Sequence, residues 1–173
     1  MRDINKVLPN IKHFCYATAH NSDSFCDFMK SIKSDMGKFD ALAEILSDKV
    51  FLLKKNIDLL VPVPKFKDEL NETDWSLKLV EFISKRINIP YNKDLIKKTR
   101  KTKKLKTIPV SQREKEIKNA FEIKDFEELK DKKICIIDDV FSSGNTIKEI
   151  IKTLSSNYDI KNISIAVLVF QEN

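Results

Sequence analysis

Two adjacent carboxylates follow an apolar, strand-like run in the middle of the sequence IIDDVFSSGNT, residues 136 to 146. Asp138 and Asp139 would be costly to place at the end of a buried strand unless a ligand or partner used them. The turn that follows offers hydroxyls, backbone N–H groups at a helix start and a glycine that permits close approach of an anion. It comprises Ser142, Ser143, Gly144, Asn145 and Thr146. This combination suits a sugar phosphate, with the acids on the ribose diol and the turn on the 5′-phosphate.

A purely structural role for the same turn is the alternative. Ser143 or Asn145 would then cap the following helix, and the two aspartates would be solvated loop residues. The order of strand, acid pair, hydroxyl-rich turn and helix favours the binding site, because each part stands where a phosphate site needs it.

Most of the positive charge lies in one segment, which we call the basic segment. Residues 93 to 106, KDLIKKTRKTKKLK, hold eight Lys or Arg and one Asp, in a chain whose formal net charge is +6. This charge predicts a segment too polar to pack. Three interpretations stay open: closure over a small polyanion, sequence-independent contact with nucleic acid, and a solvated lysine-rich loop.

Composition bounds the class of protein. The chain has 173 residues, 42% hydrophobic and 34% charged, which fits one domain with a core and excludes disorder. Cys15, Cys26 and Cys135 lie far apart, as reduced thiols do, and their spacing with His13 and His20 matches no structural zinc pattern. The apolar stretches are strand-sized and the start shows no signal peptide, so we expect a cytoplasmic protein without membrane contact.

Periodicity predicts strands that alternate with helices. The predicted strands are 11–19, 57–63, 120–123, 133–138 and 163–170. The predicted helices are 23–33, 39–54, one from about Thr73, 110–118 and 145–156, with Gly37 as the stop between the first two. The helix from Thr73 would carry one stripe, formed by Trp75, Leu79, Phe82, Ile83 and Arg86. This alternation predicts an α/β domain around a mostly parallel sheet, whose ligand site lies at the carboxyl ends of the strands.

IIDDVFSSGNT resembles the phosphoribosyl pyrophosphate (PRPP) motif of the type I phosphoribosyltransferases. From about residue 25 to 170 the chain is similar to one branch, the ComF family of competence-associated proteins. Three further segments carry this resemblance. They are FMKSIKSDMGKFDALAEIL at 28–46, VPVPK at 61–65 and TRKTKKLKTIPVSQREKEIKNAF at 99–121.

The resemblance implies a type I phosphoribosyltransferase fold, with a mostly parallel central sheet flanked by helices and a small N-terminal hood-like region. We expect residues 1–173 to form one such domain. Its parts would be a helical, hood-like part over about 1–55, a PRPP-binding core over 56–173 and a flexible basic loop over 97–112.

The resemblance also implies a pentosyl transfer: Mg²⁺-dependent displacement of pyrophosphate from carbon 1 of PRPP by a nitrogen nucleophile. Asp138 and Asp139 would hold the ribose hydroxyls, which help to ligate Mg²⁺. The 5′-phosphate would be bound by Ser142, Ser143, Gly144, Asn145 and Thr146.

The pyrophosphate would be bound by two other segments in this resemblance. Pro64 and Lys65 would fall at the pyrophosphate loop, with Lys67 nearby. The basic segment would be the mobile loop that closes over pyrophosphate, with Arg100, Lys103 and Lys104 as candidate cations. Positioned cations stabilise the negative charge of a departing pyrophosphate. Arg100 and Lys104 therefore join the two aspartates as the expected catalytic residues.

Several residues depart from the family pattern. Ser142 stands where enzymes for 6-oxopurines have an additional acid, Leu105 stands where a glutamine is expected, and NETDWSLK replaces an Arg-Gly-Phe-Asn-Gln stretch. The four-cysteine zinc ribbon of many ComF proteins is missing. These departures leave a second function open, a non-catalytic PRPP or nucleotide sensor in DNA uptake, with single-stranded DNA or competence proteins as partners. The acceptor stays open, as does pairing into a homodimer through the N-terminal helices.

Overall fold

The computed structural model describes residues 4–9, 11–21, 23–66, 73–103, 108–124, 127, 129–156, 158–159 and 162–172. The strands are β1 (His13–Asn21), β2 (Leu59–Pro62), β3 (Ile96–Lys98), β4 (Phe121–Ile123), β5 (Ile134–Phe141) and β6 (Ile163–Glu172). The helices are α1 (Ile4–Val7), α2 (Phe25–Ser34), α3 (Met36–Leu52), α4 (Trp75–Ile87), α5 (Val110–Ile117) and α6 (Asn145–Leu154). Each predicted strand and helix is confirmed to within a few residues. No helix in these ranges is both long and apolar enough to cross a bilayer.

Four parallel strands form the central sheet, in the order β1-β6-β5-β2. Within it β6 pairs with β1 and β5, and β5 also pairs with β2, so that Ile134 lies between Ile163 and Leu59. The first eight residues of β6 are buried, as expected for a parallel strand that helices cover on both faces. The prediction of an α/β fold around a mostly parallel sheet is confirmed.

Two apolar layers cover the sheet, one on each face. One layer contains α2, α3 and α4, with Phe39, Leu46 and Leu79 fully buried. The other contains α6 and the two-stranded β3–β4 sheet, with Ile150 and Phe121 among its buried residues. Burying one such side chain stabilises the fold by about 1.5–3 kcal/mol. The two layers therefore pack different helices against the two faces of the sheet.

The hood-like part expected at 1–55 stays a prediction, and the structure shows that its strand and helices pack with the central sheet. β1 pairs with β6 from His13 to Asn21, and α2 and α3 share one apolar layer with α4. The physical reason lies in the β1 sequence, HFCYATAHN, which contains no Asp, Glu, Lys or Arg and can therefore join a covered sheet.

The boundary between α2 and α3 lies at Asp35, so the predicted stop at Gly37 is wrong. The Asp35 carboxylate accepts hydrogen bonds from the N–H groups of Gly37 and Lys38 at 3.0 and 3.3 Å. An aspartate N-cap satisfies N–H groups that have no partner within the helix. This local capping places Gly37 inside the first turn of α3.

The stripe predicted for α4 is only partly correct. Leu79 and Ile83 are buried, but Arg86 is exposed and its guanidinium lies 3.3 Å from the carboxylate of Asp48. Ser76 is buried instead, at 7% exposure. A polar residue on the covered side of a helix requires a hydrogen-bond partner, which the site below provides.

Part of the basic segment is folded, so the prediction that it is too polar to pack is wrong there. Leu95 and Ile96 are each 1% exposed, and β3 pairs antiparallel with β4, so that Lys98 lies opposite Phe121. Two apolar side chains thus anchor the segment despite its lysines. The expected flexible loop at 97–112 accordingly begins in β3 and ends in α5, and residues 104–107 lie outside the described residues.

Replacing Asp35 with Ala is expected to lower the free energy of unfolding by about 1 kcal/mol, because two N–H groups of α3 lose their acceptor. Urea denaturation followed by circular dichroism measures this change. Asp40→Ala, at an exposed aspartate of the same helix, is the control and should change stability by less than about 0.5 kcal/mol. Equal stability of the two variants would contradict the capping role.

Candidate functional site

β5 carries the acid pair to the carboxyl edge of the sheet. The strand continues past its predicted end at Asp138 as far as Phe141, because its last apolar residues still pair with β6. Both acids therefore lie within the strand rather than in the loop after it. Asp138 is 9% exposed, and the side chain of Asp139 is 19% exposed.

The turn after β5 encloses a small cavity of about 30 Å³. Its lining contains Asp138 together with residues 142–146, the five residues expected to form an anion cradle. The structure thus brings one of the two acids and the whole turn to one place.

The helix that follows the turn begins without a side-chain cap. Gly144 is the N-cap residue of α6, with φ at 77°, and the helix start has no side-chain cap hydrogen bond. The alternative in which Ser143 or Asn145 caps the helix is therefore wrong. Uncapped N–H groups at a helix start can bind an anion, and the helix dipole favours negative charge there.

Two donors hold the carboxyl group of Asp138. Its Oδ1 accepts a hydrogen bond from the Ser76 hydroxyl at 3.0 Å and another from the backbone N–H of Asp139 at 2.9 Å. Burial, and then the negative charge of Asp139, raises the pKa of Asp138 well above its ordinary value of 3.8. Asp138 is therefore fixed in direction and resists ionisation.

The second acid, Asp139, forms an ion pair with Lys33 of α2. The Lys33 ammonium also lies over the Trp75 ring, 5.7 Å from its centroid. Trp75 packs against Phe39 with the ring centroids 5.1 Å apart. Contacts of this kind between a cation and an aromatic ring contribute about 0.5–2 kcal/mol. Asp139 is thus tied to the α2–α4 side of the sheet.

The expected pyrophosphate loop follows β2 at the same edge. The N–H of Val63 donates to the carbonyl of Ile137 at 2.9 Å, which brings Pro64 and Lys65 next to the end of β5. The Lys65 ammonium donates to the carbonyl of Thr73 at 2.6 Å. Lys67 lies outside the described residues.

The expected cations of the basic segment are only partly described. Arg100 donates to the carbonyls of Glu116 and Lys118 at 2.6 and 2.8 Å, at the carboxyl end of α5. The backbone N–H of Lys103 donates to the Glu116 carboxylate at 2.8 Å, and Lys104 lies outside the described residues. Arg100 therefore stabilises the end of α5 here and does not line the cavity.

Sequence reasoning missed Lys33, Ser76 and Glu149. The carboxylate of Glu149, a buried residue of α6, accepts from the N–H of Asn119 at 2.7 Å. This bond ties the α5–β4 connection to α6, the helix that follows residues 142–146. We call these residues the phosphate turn, after the role expected of them. All three residues act on partners distant in sequence, which no local spacing reveals. For Ser76 and Glu149 the available signal was a polar residue on the apolar side of a helix.

A comparison with family models decides the class of the protein. The model of the phosphoribosyl transferase domain matches residues 29–173, which include both acids and the whole turn. The chain belongs to the phosphoribosyl transferase domain family. No curated protein matches the sequence at a significant level. The α/β fold with its central parallel sheet is consistent with a type I phosphoribosyltransferase.

The acid pair offers carboxyl oxygens, which are ligands of the kind that Mg²⁺ binds. In proteins Mg²⁺ keeps several waters and is bound through one or two carboxylates together with substrate phosphates. Asp138 and Asp139 supply two carboxyl groups at one edge. Within the described ranges no group of three or more His, Cys, Asp or Glu side chains could hold a metal ion by itself.

Gly144→Ala is expected to destabilise the protein by about 1–3 kcal/mol, because a side chain is strained at positive φ. The new Cβ would also lie 2.7 Å from Phe141 Cζ and 3.0 Å from Val7 Cγ1. Urea denaturation gives the free energy of unfolding. Gly37→Ala, at the other glycine of the chain, is the matched control without positive φ. A loss at Gly144 no larger than at Gly37 would contradict the requirement for glycine.

Asp138 should make stability depend on pH. Because its pKa is raised in the folded state, the wild-type protein loses stability as pH rises above about 4, where the unfolded side chain ionises. Asp138→Asn lacks this ionisation, so its stability relative to wild type should increase between about pH 4 and pH 7.

Ser76→Ala provides the opposite case, because it removes a donor that stabilises the ionised carboxylate. Its stability relative to wild type should fall where pH exceeds the raised folded-state pKa of Asp138, because only there does the wild-type carboxyl ionise and gain from this donor. Urea denaturation at about pH 4 and pH 7, continued to higher pH for Ser76→Ala, measures the two differences. Differences that do not change with pH would show that burial of Asp138 does not control this dependence.

Proposed function

We propose that the protein binds PRPP with Mg²⁺ and transfers its 5-phosphoribosyl group to a nitrogen acceptor, with release of pyrophosphate. One observation carries the proposal: buried Asp138 and the uncapped helix start at Gly144 line the same cavity. A ribose 5-phosphate joins an anion and two neighbouring hydroxyls, and this cavity together with the adjacent Asp139 offers a partner to each. Membership in the phosphoribosyl transferase domain family supports the same class of reaction.

The 5′-phosphate binds at residues 142–146 in this proposal. The N–H groups at the start of α6 and the hydroxyls of Ser143 and Thr146 donate to its oxygens, and Gly144 leaves room for them. Asp138 and Asp139 receive the ribose hydroxyls. Ser76 fixes the direction of Asp138, so the binding geometry exists before the ligand arrives.

The chemical step exchanges one bond at carbon 1. The bond to the pyrophosphate oxygen breaks, its electron pair leaves with pyrophosphate, and the acceptor nitrogen forms the new bond and then releases a proton. Bound Mg²⁺ supplies charge neutralisation of the diphosphate. Pro64, Lys65 and Lys67 receive the diphosphate, and Arg100 and Lys104 close over it. To do so, Arg100 has to leave the carbonyls of Glu116 and Lys118.

A non-catalytic PRPP or nucleotide sensor is the second candidate. The contacts of Arg100 favour it, because the expected catalytic cation is bound to the end of α5. The resemblance to ComF proteins connects such a sensor with DNA uptake. Single-stranded DNA or competence proteins would then be its partners, with the exposed lysines of the basic segment contacting phosphates.

Titration calorimetry with PRPP and Mg²⁺ tests the premise that both candidates share. The double variant Asp138→Asn, Asp139→Asn is expected to bind PRPP at least about tenfold more weakly, since a hydrogen bond to a charged group is worth about 1.5–3 kcal/mol. Asp40→Asn, at an exposed residue of α3, is the control and should bind like wild type. Equal affinities of wild type and double variant, or no binding by wild type, would overturn the proposal.

Pyrophosphate release separates the transferase from the sensor. Wild type is incubated with PRPP, Mg²⁺ and a panel of nucleobases and amines, and released pyrophosphate is measured. Release with any one acceptor identifies a transferase. Saturable PRPP binding without release for every acceptor identifies the sensor, and a salt-dependent shift of single-stranded DNA would then assign the basic segment to nucleic acid.

A further inference from the structure

Lys33 places a positive charge beside the acid pair, and the expected catalytic residues do not include it. It reaches Asp139 from α2, across 106 positions of the sequence. Its side chain is 35% exposed, so the ammonium group touches both the site and the solvent from which a ligand enters.

The two acids have different neighbours at the sheet edge. Asp138 lines the cavity of the phosphate turn, next to the start of α6, and its Oδ1 accepts a hydrogen bond from Ser76 of α4. Asp139 lies outside the lining of that cavity and pairs with Lys33 of α2. A ligand that extends from the phosphate turn past Asp138 to Asp139 therefore ends beside Lys33.

This direction orients a ribose 5-phosphate. Its two hydroxyls lie on carbons 3 and 2, between the 5′-phosphate at one end and carbon 1 at the other. With the 5′-phosphate at the start of α6, the 3-hydroxyl falls to Asp138 and the 2-hydroxyl to Asp139. Carbon 1 and its substituent then lie on the side of Lys33.

A diphosphate on carbon 1 is a stronger partner for an ammonium group than one carboxylate is. Lysine carries its charge on a flexible stem of four carbons with three donors, so Lys33 can contact the diphosphate by rotation within its side chain. The Lys33 ammonium also lies over the Trp75 ring, 5.7 Å from the ring centroid. In contrast, Lys65 and Arg100 donate to backbone carbonyls.

We propose that Lys33 contacts the substrate, binding the diphosphate at carbon 1 of PRPP and stabilising it as it leaves. The inference rests on the proposed function. When the bond between carbon 1 and oxygen breaks, the electron pair goes to the diphosphate oxygen. Lys33 stays protonated throughout and donates hydrogen bonds to the growing negative charge.

Two ligands that differ only in the diphosphate test this role. Calorimetry in the presence of Mg²⁺ compares PRPP with ribose 5-phosphate for wild type and Lys33→Met. Loss of charge-assisted hydrogen bonds should weaken PRPP binding at least about tenfold and ribose 5-phosphate binding less than about threefold. Lys33→Arg keeps a cation and should retain most of the PRPP affinity. Lys30→Met is the matched control on the same helix, where Lys30 pairs with exposed Asp27 at 3.0 Å, and should change neither affinity.

A second comparison separates contact with substrate from an action through Asp139. In an Asp139→Asn background, Lys33→Met should still weaken PRPP binding. No further loss in that background, or equal weakening of both ligands by Lys33→Met, would show that Lys33 only holds Asp139 and would overturn the inference. If wild type binds neither ligand, the proposed function itself is wrong. If wild type binds both ligands and Lys33→Met binds each of them as tightly as wild type does, only the role of Lys33 is wrong.

Discussion

The parallel pairing of β5 with β6 and β2 is the constraint on which the site depends. It continues beyond the acid pair, and so it holds Asp138 in a buried position where its carboxyl needs the Ser76 hydroxyl and resists ionisation. Parallel strands also bring all their carboxyl ends to one edge, which places the residues after β2 beside the phosphate turn. The chemistry of the edge therefore follows from backbone pairing and from burial of a single carboxyl group.

The sheet also separates the charges of the site. On the α6 side, partial positive charge comes from backbone N–H groups that no side chain caps. On the α2–α4 side, it comes from the ammonium group of Lys33. The two acids lie between them, in the strand that both layers cover. In the proposed binding mode, a sugar with a phosphate at each end therefore has positively charged groups near both ends and hydrogen-bond acceptors near its middle.

Local sequence signals predicted the elements that make up the sheet, because buried runs such as ICIID and amphipathic periods such as that of α6 report on burial directly. They predicted the position of the turn at residues 142–146 for the same reason, since its residues are contiguous. The end of β5, the packing of β3 and the boundary at Asp35 were missed, because strand pairing across the fold and helix capping outweighed the nearby charges and Gly37. The partners of Lys33 and Ser76 could not be predicted, because they are defined only once α2 and α4 pack on the sheet.

Gly144 has a consequence for the far end of the chain. A side chain there would collide with Val7 of α1 as well as with Phe141, so α1 packs directly on the turn that begins α6. If docking of this first helix changes the affinity of the turn for a ligand, binding of that ligand changes the docking of α1 by the same factor. Val7 forms part of the wall behind the turn, and amide hydrogen exchange in α1 would report on binding at a turn that lies more than a hundred residues away.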